Sequence, residues 1–179
     1  KGLDKLADGG LMAYITTDAF LNSPSNQKAR EYLFGKSDFI SLSVMPDNLM
    51  KDTGNTEAPN HLLIVQKNAT KETLSEEEAL LMTTIPLENE YGTYHSNSYI
   101  QQHRDIITGN TLQPGKNQYG QAHETVWQQG DLNAIREKLG QTITEGFNTR
   151  LNRERYFQSQ SLPIEKQGFG GGKLTYLPM

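Results

Sequence analysis

The sequence predicts an α/β fold in which a short mixed sheet, with one antiparallel strand, precedes a mainly helical extension. Mainly apolar runs without Asp, Glu, Lys or Arg at positions 11–15, 39–44 and 61–65 have the length and composition of strands. Helical apolar spacing lies between the first two runs and again beyond residue 74. The chain has 179 residues, of which 35% are hydrophobic, so it can bury one core but not a second full domain.

The first strand is the element on which a site would depend. Residues 11–15 read Leu-Met-Ala-Tyr-Ile, which predicts a strand that is buried on both faces, as in parallel sheets. Such sheets bind ligands beyond the carboxyl ends of their strands. Thr16, Thr17 and Asp18 follow this strand directly and are therefore strand-end candidates for a site. The alternative is that they only end the strand and cap the next turn.

The next elements follow from capping and turn residues. Ser23 and Pro24 can cap and begin a helix over residues 26–34. The segment between the strands at 39–44 and 61–65 is polar and has no helical pattern. Because a parallel crossover normally contains a helix, we expect this pair of strands to be antiparallel. The long loop at 45–59 is a second candidate for function, although such loops can also be disordered.

Beyond residue 70 the pattern is mainly helical. Acidic residues follow Ser75 and predict a helix start, and residues 96–107 have one helical face. Residues 124–128 could form a lone short strand, and Asp131 can cap an amphipathic helix. The four glycines in 168–172 indicate a tail or linker, because no strand precedes them as in a phosphate loop.

Composition excludes several classes of function. The chain has 17 Lys and Arg against 21 Asp and Glu, a net charge of −4, and the two signs are interspersed, so no face is obviously built for nucleic-acid phosphates. It contains no cysteine, which excludes disulfides and thiolate chemistry and fits a reducing cytoplasm. No apolar run approaches a membrane span, and the four histidines lack the spacing of metal ligands. We expect a soluble, cytoplasmic protein without a metal.

Several aromatic residues could form a stacking surface for bases: Tyr91, Tyr94, Tyr99 and the single tryptophan, Trp127. Lysine and arginine do not interleave with them, which favours packing between the two parts of the chain instead.

Four segments carry a resemblance to a known family: residues 6–21, 29–34, 44–49 and 56–67. Together they resemble the later half of an amino-group DNA methyltransferase, and more narrowly the adenine methylase-like region of the large proteins carried by conjugative transposons of Bacteroides-type bacteria. The likeness covers residues 3–67, and residues 88–107 and 118–131 resemble the region that follows in those proteins. It implies that residues 1–70 are the later half of a Rossmann-like methyltransferase domain, 71–158 a helical extension packed on it, and 159–179 a flexible tail.

The resemblance also implies what the chain lacks. Such enzymes bind S-adenosylmethionine at a glycine-rich loop after the first strand and hold the target amine with an Asn-Pro-Pro-aromatic motif, and neither is present. We therefore expect no catalytic or cofactor-binding residues and no cofactor in this chain, which would be inactive alone. Its partners would be the missing N-terminal half of the domain and, through the parent protein, DNA with a flipped base. The alternative is a non-catalytic interaction or DNA-docking module with a degenerate methylase fold.

Finally, the resemblance places a substrate-base loop and a strand order. In the family, the loop between the sixth and seventh strands carries a bulky residue that packs on the flipped base, and Met50 is nearest to that position, with Leu49 and Thr56 beside it. The strand at 61–65 is expected to lie between the other two, with Leu63 at its centre. The far side of the strand at 11–15 would then be an open edge, which could support self-association.

Overall fold

The computed structural model describes residues 1–49, 51 and 58–161, and these form an α/β structure with helices and three small antiparallel sheets. The strands are β1 (Leu11–Thr17), β2 (Ser37–Met45), β3 (Asn60–Lys67), β4 (Thr84–Asn89), β5 (Gly92–Asn97), β6 (Thr111–Lys116) and β7 (Ala122–Trp127). The helices are α1 (Ala19–Asn22), α2 (Gln27–Lys36), α3 (Glu76–Met82), α4 (Ser98–Gln102), α5 (Asn133–Thr149) and α6 (Arg153–Ser161). Short 3-10 turns cover Leu3–Lys5, Pro24–Asn26 and Arg104–Ile106.

The main sheet has the strand order β1-β3-β2, and β3 runs antiparallel to both neighbours. The expected central position of the third strand is therefore confirmed. Leu63 lies opposite Tyr14 on one side and Leu42 on the other, and its side chain is fully buried. The outer edge of β1 has no paired strand among the described residues, as expected.

The prediction that β1 is buried on both faces and belongs to a parallel sheet is wrong. Exposed and partly buried residues alternate along its second half, and Ile15 is 72% exposed. Met12 and Tyr14 pack against the core, so only one face of the strand is covered. Every named strand pair is antiparallel, so the sheet is not mixed within the described residues, and the parallel contact there is an isolated bridge between Val44 and Ile107.

The strand buried on both faces is instead β2. On one face it contacts α5, where a Cβ on Gly146 would collide with the carbonyl oxygen of Ile40. Arg150, just after α5, donates to the same carbonyl at 3.1 Å. On the other face, Phe39 packs edge-on against the ring of Tyr99, with the ring centres 5.2 Å apart. The close approach of α5 therefore depends on glycine at position 146.

Ser75 and Ser23 act as caps, as expected, whereas the N-cap position of α5 is Leu132 and Asp131 accepts from the Asn133 N–H just before it. The Ser75 hydroxyl accepts a hydrogen bond from the backbone N–H of Glu78, and the Glu78 carboxylate accepts one from the backbone N–H of Ser75, which makes a complete capping box for α3. Ser23 caps the turn that begins with Pro24 and leads into α2. The Glu78 carboxylate also accepts from the backbone N–H of Phe39 at 2.9 Å, so the cap of α3 is tied to β2.

The segment after residue 70 contains two β-hairpins in addition to the helices that the sequence predicts. In one hairpin β4 pairs with β5, and in the other β6 pairs with β7. The strand expected alone at 124–128 is β7, and it has a partner. The single helix expected at 96–107 is divided into α4 and the 3-10 turn at Arg104–Ile106.

One hydrophobic core draws residues from both sides of position 70. Its members include Phe34, Leu42, Leu63 and Val65 from the first part and Leu81, Tyr99, Ile107 and Val126 from the second. No helix of the described residues has the length and apolar character to cross a membrane. Of the tail expected at 159–179, residues 159–161 belong to α6, and the remainder lies outside the described residues.

Candidate ligand-binding cleft

A cleft of about 600 Å³ lies where the main sheet meets the two hairpins. Asp18 follows β1, Asp47 lies two residues after β2, and His61 is the second residue of β3. Since β3 runs opposite to its neighbours, its beginning lies at the same edge as the ends of β1 and β2. The hairpins supply much of the remaining lining, including Tyr94 of β5 and His123 of β7, and α1 and α4 contribute Asn22 and Ile100.

His123 lies between two carboxylates. Its Nε2 is 3.0 Å from Oδ2 of Asp47, and its Nδ1 is 3.8 Å from Oδ2 of Asp18. Burial alone would lower the pKa of His123, but the hydrogen bond to Asp47 and the negative charges of Asp47 and Asp18 outweigh it and raise the pKa above 6.5. The Asp47–His123 pair can therefore hold a proton near neutral pH.

The negative charge of Asp18 is only partly compensated by its neighbours, because its pKa is raised. Burial raises its pKa, and the neighbouring charge of Asp47 adds to this, whereas His123 and a hydrogen bond from Asn22 act in the opposite direction. The Asn22 side chain is itself oriented, because its Oδ1 accepts from the backbone N–H of Asn97 at 2.9 Å. A further cation or N–H donor beside Asp18 would stabilise its ionised form.

His61 is the most deeply buried ionisable group of the cleft. It is 2% exposed, and burial together with the nearby His123 lowers its pKa to about 4, so the ring is neutral at physiological pH. Its Nδ1 is buried and has no hydrogen-bond partner among the described residues. A buried polar atom without a partner is costly and is uncommon in folded proteins.

The β6–β7 hairpin also holds the beginning of the β2–β3 loop. The Asp47 backbone N–H donates to the Val126 carbonyl at 2.7 Å. Asn48 donates from Nδ2 to the carbonyl of Gln128 and accepts from its backbone N–H through Oδ1, both at 3.0 Å. Farther along, the Lys51 ammonium lies 5.0 Å from the ring centre of Trp127. The start of the loop is therefore attached to the hairpin by backbone and side-chain contacts.

The strand-end residues predicted from the sequence do not all lie in the cleft. Asp18 lines the cleft, but Thr17 is exposed, and Thr16 is half-buried opposite His61 in the sheet register. Of the expected substrate-base loop, Leu49 is half-buried and its N–H donates to the Pro46 carbonyl at 3.2 Å. Met50 and Thr56 lie outside the described residues.

The aromatic residues considered as a stacking surface also lie in different parts of the structure. Tyr91 and Tyr94 line the cleft. Tyr99 instead belongs to the core and stacks on His103, with 4.0 Å between the ring centres. Packing therefore accounts for Tyr99, while Tyr91 and Tyr94 remain accessible to a ligand.

Sequence reasoning named the loop at 45–59, which contains Asp47, as a candidate, but it did not single out Asp47, His61 or His123 as site residues. One signal for the first two was present, because an antiparallel third strand brings its first residues to the edge where the other strands end. No local signal identifies His123, which is 76 positions from Asp47 and lies in a hairpin that the sequence did not predict.

Comparison with known proteins gives no relatives: no family, curated protein or solved structure matches the chain. Within the described ranges, no group of three or more His, Cys, Asp or Glu side chains could hold a metal ion. The cleft can instead accept hydrogen bonds through two carboxylates and exchange a proton at His123.

Proposed function

We propose that this chain is the later half of an S-adenosylmethionine-dependent DNA adenine methyltransferase-like domain of a mobile-element protein, and that it is inactive alone. On this proposal, β1, β2 and β3 are the fifth, sixth and seventh strands of a larger Rossmann-like sheet. The glycine-rich cofactor loop and the Asn-Pro-Pro-aromatic motif belong to another segment of the parent protein, as does the strand that would pair with β1.

The strand order supports this proposal most strongly. Two strands that run in the same direction, with a reversed strand between them, are the arrangement that the resemblance implies for this end of the methyltransferase sheet. A second support is the outer edge of β1, which is unpaired within the described ranges and offers seven residues to a neighbouring strand.

The position of the β2–β3 loop agrees with a role next to a substrate. The loop leaves the sheet at the edge where Asp18 and Asp47 lie, and the hairpin contacts of Asp47 and Asn48 fix its first residues. A loop with a fixed base can hold a side chain against a flipped base at low entropic cost.

The test compares the parent protein with this chain. The longest reading frame that contains the chain is expressed and incubated with labelled S-adenosylmethionine and duplex DNA, and methyladenine is measured by mass spectrometry. We expect product from the parent and none from a duplex built only of G·C pairs, because the reaction is proposed for adenine. The chain alone should give no methyl transfer and no heat of binding on titration with the cofactor. Saturable micromolar cofactor binding by the chain alone would overturn the assignment of the cofactor site to another segment.

A non-catalytic interaction or DNA-docking module is the second candidate. The open edge of β1 favours it, because such an edge can pair with another chain, including a second copy of this one. Fluorescence anisotropy with a labelled duplex separates the two proposals. A docking module binds duplex alone, more weakly as salt rises, whereas the half-domain shows no such binding. A parent protein without methyl transfer would also favour the module.

A further inference from the structure

The lining of the cleft has an unbalanced charge. Its described residues include three acidic side chains but neither lysine nor arginine. Glu124 is already paired with Arg104, whose Nη2 lies 2.7 Å from its Oε1. The other two carboxylates, Asp18 and Asp47, share the single imidazole of His123. Even when His123 is protonated, this group carries an excess negative charge in a partly buried site, which is unfavourable unless a cation compensates it.

A second observation in the same cleft indicates a ligand that forms hydrogen bonds. His61 lines the cleft, and its buried Nδ1 lacks a hydrogen-bond partner among the described residues. Because its pKa is lowered to about 4, this ring is neutral and does not repel a cation. A neutral imidazole nitrogen can accept a hydrogen bond from a donor that enters the cleft.

We propose that this cleft binds a small organic cation through a guanidinium group that donates to Asp18 and is attracted by the charge of Asp47. A guanidinium carries five N–H donors in a planar fork, so it can pair with a carboxylate and still donate elsewhere. Its flat face can lie against Tyr94 in the lining. Tyr91 is less suited to this role, because the Lys116 ammonium already lies 5.4 Å from its ring centre.

The size and charge of the cleft disfavour large ligands and anions. A volume of about 600 Å³ suits a small molecule or one side chain. A phosphate group would face the same two carboxylates without a lysine or arginine of the lining to compensate it. This inference goes beyond the methyltransferase proposal and does not depend on it.

The affinity for a cation should increase with pH. His123 faces Asp47, Asp18, Glu124 and His61, and its raised pKa means that it keeps its proton to a higher pH than a free imidazole does. When His123 loses this proton, the cleft becomes more negative. The raised pKa of Asp18 acts in the same direction, because that carboxylate also becomes fully ionised as pH rises.

The first experiment titrates the whole chain with agmatine, followed by calorimetry and by backbone NMR shifts. We expect saturable binding, with shifts at residues of the cleft, and an affinity that rises about fivefold or more from roughly pH 6 to pH 8. Butylguanidine, which lacks the terminal ammonium of agmatine, should also bind, and butylurea, its neutral analogue of the same shape, should bind at least about tenfold more weakly than butylguanidine. Equal binding of butylguanidine and butylurea, or no binding of agmatine, would overturn the proposal.

Two variants and one further probe refine the test. Asp18→Asn should reduce agmatine affinity about tenfold, whereas Glu137→Gln, which removes an exposed acid on α5 outside the cleft, should not change it. Circular dichroism checks that the Asp18→Asn variant is folded. If this variant does not fold, the pH dependence and the butylurea comparison on the unaltered chain test the proposal. Arginine blocked at both ends distinguishes the source of the group. Tighter binding than agmatine indicates the side chain of a partner protein, and weaker binding indicates a free small molecule.

Discussion

Truncation of Leu63 to alanine tests the architecture most directly. Leu63 lies in the middle of β3, the central strand of the main sheet, and no part of its side chain is exposed. Its cross-strand neighbours are Tyr14 and Leu42, and all three residues contribute to the core. Because strands on both sides hold the backbone of β3, the cavity left by the truncation can collapse only partly.

We expect Leu63→Ala to lower the free energy of unfolding by about 3–4 kcal/mol, within the ~2–5 kcal/mol usual for a buried leucine. For a chain of this size, such a loss corresponds to a decrease in Tm of roughly 6–16 °C. Chemical denaturation followed by circular dichroism measures the free energy, and a thermal scan measures the decrease in Tm independently.

The matched control is Ile15→Ala. Ile15 is an aliphatic residue of the same sheet, but it lies on the edge strand and is 72% exposed, so its truncation should change stability by less than about 0.5 kcal/mol. A loss below about 1 kcal/mol for Leu63→Ala would refute the central position of β3. A large, concentration-dependent loss for Ile15→Ala would instead show that the open edge of β1 is covered by a second copy.

Three further predictions concern ionisation, close packing and a buried amide. Because the pKa of His123 is raised in the folded state, protonation of this residue stabilises the fold below pH 6.5, and the stabilisation is lost as pH rises through the folded-state pKa. His123→Gln should remove this pH dependence, as measured by denaturation at a series of pH values. The pH dependence from His61 runs the other way: its neutral ring stabilises the fold above pH 6.5, and this stabilisation is lost as pH falls towards its pKa of about 4. An NMR titration should find the His61 ring still neutral at about pH 5. On α5, Gly146→Ala should destabilise the fold, because the new Cβ collides with a backbone carbonyl of β2. The control is Gly140→Ala on the same helix, where the new Cβ meets no atom within 4 Å and should stabilise the protein by about 0.5–1 kcal/mol. Denaturant melts measure both changes. Asn97→Ala leaves the buried carbonyls of residues 21 and 81 without their donor and removes the cap of α4, so thermal melts should show a loss of about 2–4 kcal/mol.

The central position of the third strand could be predicted because two independent constraints agree. A polar connection without a helix requires an antiparallel return, and the resemblance implies the same order. Capping residues such as Ser75 were equally predictable, since an N-cap depends on local backbone geometry rather than on the rest of the fold.

The exposure of β1 could not be predicted from its composition. Five apolar residues in succession fit a doubly buried strand as well as a strand with one covered face, and the difference depends on what packs against it. The two hairpins were missed for a related reason. β4 contains Pro86, and β6 contains Pro114 next to Gly115, and these residues normally weaken a strand prediction although both are compatible with an edge or a two-stranded ribbon.

The charge of the cleft finally constrains how the two proposals fit together. Asp18 and Asp47 repel phosphate, so the backbone of a DNA duplex should not lie in the cleft, whereas a guanidinium should enter it. If both proposals hold, the phosphate backbone of the duplex and the cation would occupy different surfaces, while the flipped base would lie beside the cleft, where the β2–β3 loop leaves the sheet. We therefore expect the affinity of the parent protein for agmatine to be unchanged when a saturating duplex is added, as measured by calorimetric titration. Displacement of agmatine by the duplex would show that DNA reaches Asp18, and the cleft would then be part of the nucleic-acid site rather than a separate one.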